Sequence, residues 1–199
     1  PWVIRNWFVF GTPIVTTTHG GYTLLLGNNA EAYREEIAQP SGGLWDSRAW
    51  QQLLEDELQN ADIARDDEVA RDQWMEQRAG LWIGEHPREF VESCWLRQKR
   101  FWNIFPGGTD AGSLPKMIQW GVAIFFLIEL LAAAGGCWRL RRDEFLTWLP
   151  LVLLVVSFAM LHLVYWSNLR MRAPVEPALA LLAARGLIRR PAATTEAAS

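Results

Sequence analysis

Two long apolar runs in the second half of the chain limit what it can become. They are Met117–Trp138 (MIQWGVAIFFLIELLAAAGGCW) and Phe145–Trp166 (FLTWLPLVLLVVSFAMLHLVYW). Each is about twenty residues long, and at about 1.5 Å of rise per residue that matches a hydrocarbon core of about 30 Å. Only a helix satisfies its own backbone in lipid, so both predict membrane-spanning helices. A soluble protein can bury one such run as a central helix, but two in tandem argue for a bilayer. Trp120, Trp138, Trp148 and Trp166 fall near the ends of the runs, where indole rings favour the headgroup level. The mean hydropathy of zero conceals this, because an acidic half offsets an apolar one.

Arginines set the expected orientation. Arg139, Arg141 and Arg142 fill the short link between the runs, which the positive-inside rule places in the cytoplasm. Residues 11–116 are then extracytoplasmic, as is the segment Ser167–Pro174, although that segment itself carries Arg170 and Arg172. Residues 175–188 (VEPALALLAARGLI) are apolar but short, and predict either a short or tilted span or an interfacial helix. The tail, residues 191–199, is small and polar and predicts disorder. The opening PWVIRNWFVFG is apolar and aromatic, without the pattern of a signal peptide, and residues 1–10 read as the exit of a membrane helix whose body lies upstream. The other reading is a segment lying on the membrane surface. Cys94 and Cys137 fall at opposite ends of this topology, so no disulfide is expected.

The polar region predicts a mainly α fold with one short β-hairpin. Val15–Thr18 and Tyr22–Leu26 read as strands from their β-branched and aromatic content, with turns at His19-Gly20-Gly21 and Gly27-Asn28-Asn29. A loop is expected over Gln39–Gly43. Three helices follow. Asp46 is suited to cap the first, which carries Trp50, Leu54 and Leu58 on one face. The second is expected from about Asp62 to Gly84 with Ala70, Trp74 and Leu81 inward. The third starts with Pro87 in its first turn and has Phe90, Val91, Cys94, Trp95, Phe101 and Phe105 as its apolar side. Arg97, Lys99 and Arg100 crowd its last turn, where cations suit the helix dipole and anionic headgroups, and Pro106-Gly107-Gly108 ends it. The many Asp, Glu and Arg residues on the outer side of the second helix are read as a solvated face.

No phosphate loop, HExxH, CxxC or serine elbow is present. No metal, cofactor or nucleic-acid partner is expected. His86 precedes Pro87 and reads as a helix-start residue. His162 and Glu129 lie within the apolar runs, where an ionisable group is either functional or a hydrogen-bonding partner for another helix. A wider constellation gathers Arg5 and Asn6 with His19, Gly20, Gly21, Tyr22, Asn28 and Asn29, and with Arg170 and Arg172, on one expected surface. Arginine forks bind phosphate, glycine turns expose backbone N–H groups, and asparagine and tyrosine suit sugar hydroxyls. The same residues also fit a plainer reading, in which the arginines snorkel to lipid and the glycines only shape turns.

The stretches PWVIRNW and TTTHGGYTLLLGNN, then EHPREFVESCWLRQKRFW and HLVYWSNLRMRAPVEPALALLAARG, taken in that order, resemble bacterial C-type glycosyltransferases related to dolichyl-phosphate-mannose–protein mannosyltransferases. The resemblance covers most of the chain. It implies the C-terminal part of a many-spanning enzyme of the bacterial inner membrane, moving a sugar from a polyprenyl-phosphate donor to an extracytoplasmic acceptor. Arg5, Asn6, Gly20, Gly21, Asn28, Arg170 and Arg172 fall on the shared patterns, and His19, Tyr22, Asn29 and His162 join them as donor- or acceptor-binding candidates. Thr23 stands where relatives often have Asn. The acidic catalytic loop of that family lies near its N-terminus and has no counterpart here, so no catalytic residue is assigned and the chain alone is expected to be inactive. The alternative function is a non-enzymatic membrane protein whose outer region binds a lipid or a partner.

Overall fold

The computed structural model of the chain describes residues 1–14, 17–38, 48–106, 114–167 and 169–188. The described residues form nine α-helices and one 3₁₀ segment, with no strand among them. Helix α1 (Trp2–Phe10) is closed by Gly11, whose φ of 70° lets its N–H return to Trp7 O. The polar region holds α2 (Gly20–Gly27), α3 (Ala30–Ala38), α4 (Arg48–Asn60), α5 (Glu68–Glu85) and α6 (Pro87–Phe101). Two long helices follow, α7 (Lys116–Trp138) and α8 (Arg142–Val164). The 3₁₀ segment Leu169–Val175 then leads into α9 (Glu176–Leu187).

The expected hairpin is absent. Tyr22–Leu26, read as a strand, lies inside α2. Its local preference is overridden from α5: Asp72 Oδ1 accepts from the N–H groups of Gly21 at 2.7 Å and Tyr22 at 3.3 Å, capping the first turn of α2 in place of a local residue. Thr23 Oγ1 donates to His19 O at 2.8 Å, so its hydroxyl is satisfied within the helix. Gly20-Gly21 is accordingly not a turn. A Cβ on Gly21 would run into Asp72 O, so this glycine is where the two helices touch. The pair Asn28-Asn29 does break the helix, and Asn29 starts the next one by accepting from Ala32 N–H at 2.9 Å. Residues 15 and 16 of the other expected strand lie outside the described residues. So do the expected loop Gln39–Gly43, the Asp46 cap, Gly107-Gly108 and the tail.

Trp50, Leu54 and Leu58 of α4 are buried as expected, with Leu25, Met75 and Ala79. Helix α5 begins later than expected. Asp62 turns with φ 54°, and Asp67 accepts from Ala70 N–H at 2.9 Å as the N-cap. Its inward stripe is Met75 and Ala79 with Trp74 beside them, whereas Leu81 is 59% exposed. Pro87 does open α6. The buried face of α6, however, is Ser93, Leu96, Arg97 and Phe101, while Val91 and Trp95 point away from the packing, and Phe105 lies beyond the helix end.

Helices α7 and α8 are long and apolar enough to cross a membrane. Only 11% and 6% of their most apolar windows are buried, the reverse of a core helix in a water-soluble protein. Helix α9 runs parallel to α7. Arg172, ahead of α9, sits over Phe126; Gly136 meets Leu182 and Gly186; and Arg139 Nη1 donates to Gly186 O at 2.7 Å. At about 1.5 Å per residue its twelve residues reach about 18 Å, half the length of α7. Alanine and glycine on the facing turns allow this close approach, a common mode of helix association in lipid. Arg185 joins α9 to the start of α8 through Glu144 at 2.9 Å.

Candidate functional site

Two clefts flank α2. The larger, of about 500 Å³, is lined by Thr18, His19 and Tyr22 at the start of α2, by Gln51, Leu54 and Glu55 of α4, and by Arg65, Glu68, Arg71 and Met75 at the start of α5. His19 occupies the N-cap position of α2 and is exposed, with its ring centre 5.2 Å from that of Tyr22. Tyr22 Oη accepts from Gln51 Nε2 at 3.0 Å. Arg71 pairs with Glu55 through Nη2, while its buried Nη1 has no partner among the described residues. Thr18 Oγ1 donates to Glu68 Oε2 at 3.1 Å. The cleft thus offers two hydroxyls, an imidazole, two guanidiniums, two carboxylates and an amide, a set able to hold a hydroxyl-rich ligand that carries an anion. Within the described residues no cluster of His, Cys, Asp or Glu suits a metal ion.

Asn28 and Asn29 are on the other side of α2, in a cleft of about 260 Å³ that also contains Trp50 and Trp82. Their amides are already engaged. Asn29 Nδ2 donates to Leu25 O at 2.8 Å, and Asn28 Nδ2 donates to Leu24 O at 2.7 Å and Val164 O at 2.9 Å. Asn28 Oδ1 accepts from Tyr33 Oη at 2.9 Å and from Arg97 Nη1 at 3.3 Å.

Arg97 is the centre of this junction. It is fully buried. Nη1 donates to Leu163 O at 3.2 Å and Val164 O at 2.8 Å, and Nη2 donates to Gly27 O. One guanidinium therefore satisfies the orphan carbonyls at the C-termini of both α2 and α8, where the helix dipoles favour a cation. This replaces the expected lipid-facing role of Arg97. Its position was readable in part: Arg97 follows Ser93 by four residues and precedes Phe101 by four, in phase with the buried side of α6.

The two arginines expected to return together to one surface separate. Arg170 is exposed, but Arg172 is 1% exposed. Arg172 Nε donates to Glu176 Oε1 at 2.5 Å and Nη1 to Phe101 O at 3.4 Å and Asn103 O at 3.1 Å, and its guanidinium lies 4.4 Å from the centre of the Phe126 ring. It ties the end of α6 to α7 and α9. His162 is buried, donates through Nδ1 to Phe158 O at 2.7 Å and stacks on Phe101 at 5.2 Å. Arg5 Nη1 donates to Asn6 Oδ1 at 3.2 Å, Arg5 stacks over Trp2, and Asn6 Nδ2 donates to Ile14 O at 3.0 Å. His86 occupies the N-cap position of α6 without a side-chain capping bond; its Nδ1 lies 3.1 Å from Trp82 O and its ring stacks on Trp82 at 3.7 Å. Of the eleven candidates, only His19 and Tyr22 line the larger cleft together, with Gly20 and Gly21 between them. Gln51, Arg65 and Arg71 were not anticipated. Arg71 shares the helical phase of Met75 and Ala79, which is the signal that sets it apart from the solvated charges around it.

Compared with models of known families, with curated proteins and with solved structures, the chain matches none.

Proposed function

We propose that this chain is the C-terminal portion of an integral-membrane glycosyltransferase that moves a sugar from a polyprenyl-phosphate donor to an extracytoplasmic acceptor, with residues 11–116 on the outer side of a bacterial inner membrane. One observation carries the reading. His19 and Tyr22, which belong to the stretch resembling that family, line a polar cleft with Thr18, Gln51, Arg65 and Arg71. The guanidiniums provide for a phosphate, and the hydroxyls, amide and carboxylates provide for sugar hydroxyl groups. Glu55 and Glu68 orient the arginine and threonine beside them and are not assigned as the catalytic base.

The test is titration of the complete protein in lipid nanodiscs with a polyprenyl-phosphate hexose. Tyr22→Phe and Arg71→Gln are each expected to weaken donor binding about tenfold, the loss of one charged or well-placed hydrogen bond. Unchanged affinity in both variants would remove the cleft from the donor site. The purified chain is itself expected to transfer no sugar, and product formation by it would overturn that expectation.

A second reading has a specific observation in its favour. Arg172, Asn28 and Asn29 are consumed by packing and capping, which fits a non-enzymatic membrane protein whose polar region binds a lipid or a partner. Radiolabelled sugar transfer by the complete protein separates the two, since only the first reading gives product.

A further inference from the structure

The end of α6 sits deep against the long helices. Gln98 Nε2 donates to Ala159 O at 2.7 Å, and the Phe101 ring stacks on His162. The carbonyls of Phe101 and Asn103 meet Arg172, which in turn covers Phe126. Phe126 lies six residues beyond Trp120 on α7, a descent of about 9 Å. Trp120, packed edge-on against Phe105 at 4.9 Å, stands where an interfacial indole belongs. The last turn of α6 therefore lies below the interface, at hydrocarbon depth. Trp95 precedes Phe101 by six residues, so it stands no more than about 9 Å away along the helix axis. That leaves it at or below the level of Trp120.

The face of α6 turned away from the protein has a matching composition. Val91 and Trp95 are 66% and 63% exposed, and Lys99 follows on the same stripe. Lys99 Nζ is 5.3 Å from the Trp95 ring, so the ammonium is held back towards the aqueous end of the helix, the direction in which a lysine snorkels. The polar Arg88 and Glu92 lie nearer that end. The opposite face is packed by Ser93, Leu96, Arg97 and Phe101.

We propose that α6 is an interfacial membrane helix, whose Val91–Trp95–Lys99 stripe beds into the headgroup layer of the leaflet that receives Lys116 and Val164. The occupant of this face is lipid because the last turn of the same helix is seated against Ala159 and His162 of the apolar helix α8, and because an indole beside a lysine suits that boundary. The proposal rests on the membrane reading of α7 and α8 and is independent of sugar transfer.

The full chain, with Cys94→Ser and Cys137→Ser, is placed in nanodiscs of equal parts phosphatidylcholine and phosphatidylglycerol. A nitroxide is attached through Val91→Cys or Trp95→Cys, and its collision rates with oxygen and with a water-soluble nickel chelate are measured. Ile128→Cys on α7 and Leu81→Cys on α5 serve as references for lipid and water. Labels at positions 91 and 95 are expected to favour oxygen over nickel, position 95 more strongly, approaching the value at position 128. Nickel-dominated collisions at both, as at position 81, would place the stripe in water and overturn the proposal. Low rates with both reagents and an immobilised spectrum would show a protein partner over the stripe, and would overturn it equally. Nickel-dominated collisions at position 128 would mean that α7 does not cross lipid, a failure of the membrane reading that brings down both this proposal and the integral-membrane part of the proposed function.

Discussion

Arg97 and Arg172 illustrate how little a charged side chain reveals about its environment until its neighbours are known. Both sit among positions that read as solvated or lipid-facing, yet both are buried, Arg97 donating to backbone carbonyls and Asn28, Arg172 to the carbonyls of Phe101 and Asn103 and to the Glu176 carboxylate. Burying a guanidinium costs several kcal/mol, offset only where most of its donors find acceptors. At Arg97 the acceptors are helix-terminal carbonyls that would otherwise be stranded in the packing. Arg97→Met is accordingly expected to destabilise the protein by about 3–5 kcal/mol, because the side-chain donor to Gly27 O and Leu163 O is lost and Val164 O and Asn28 Oδ1 each keep only one of their two donors. Arg97→Lys is expected to recover less than half of this, since an ammonium cannot fork to two helix ends. Arg170→Ala, at an exposed site, is expected to stay within about 0.5 kcal/mol. Thermal unfolding in detergent measures all three, and equal stability of wild type and Arg97→Met would refute the structural role.

Among the helices, glycine decides where backbones meet. Gly21 and Gly136 each stand where a Cβ would strike a carbonyl oxygen of the facing helix, Asp72 O and Leu182 O, whereas Gly20 and Gly135 face open space. The neighbouring glycines are therefore internal controls. Gly21→Ala and Gly136→Ala are each expected to cost about 1–3 kcal/mol, since rigid backbone must move to admit the methyl group. Gly20→Ala and Gly135→Ala are expected to be neutral or slightly stabilising, as alanine favours a helix. The same thermal unfolding measurement compares each pair, and equal effects within a pair would show that the close crossings are absent. The crossing of α2 on α5 also explains why the expected hairpin is a helix. The strand preference of Thr and Tyr spans about 1 kcal/mol, and the Asp72 cap with the helix–helix packing outweighs it. That cap lies fifty-one residues away in sequence, beyond the reach of any local pattern.

At the scale of the whole molecule, two helices long and apolar enough to cross a membrane expose most of their apolar surface, and the polar region is fastened to them through Arg97 and Arg172. The chain is expected to remain in the membrane fraction after alkaline carbonate washing and to need detergent for extraction, whereas release by carbonate would show that α7 and α8 are not lipid-embedded. What the sequence settled by itself followed from periodic and cumulative properties. The two apolar helices, the buried face of α4 and the first turn of α6 at Pro87 are set by composition or spacing over one short segment, and they stand in the structure. What only the tertiary structure decided involves partners distant in the chain: the helix at Tyr22–Leu26, the burial of Arg97 and Arg172, and the gathering of His19, Tyr22, Arg65 and Arg71 around one cleft. The physical reason is that apolar burial sums over neighbouring residues and leaves a periodic trace, while a hydrogen bond or ion pair depends on one acceptor whose place is fixed only when the helices pack.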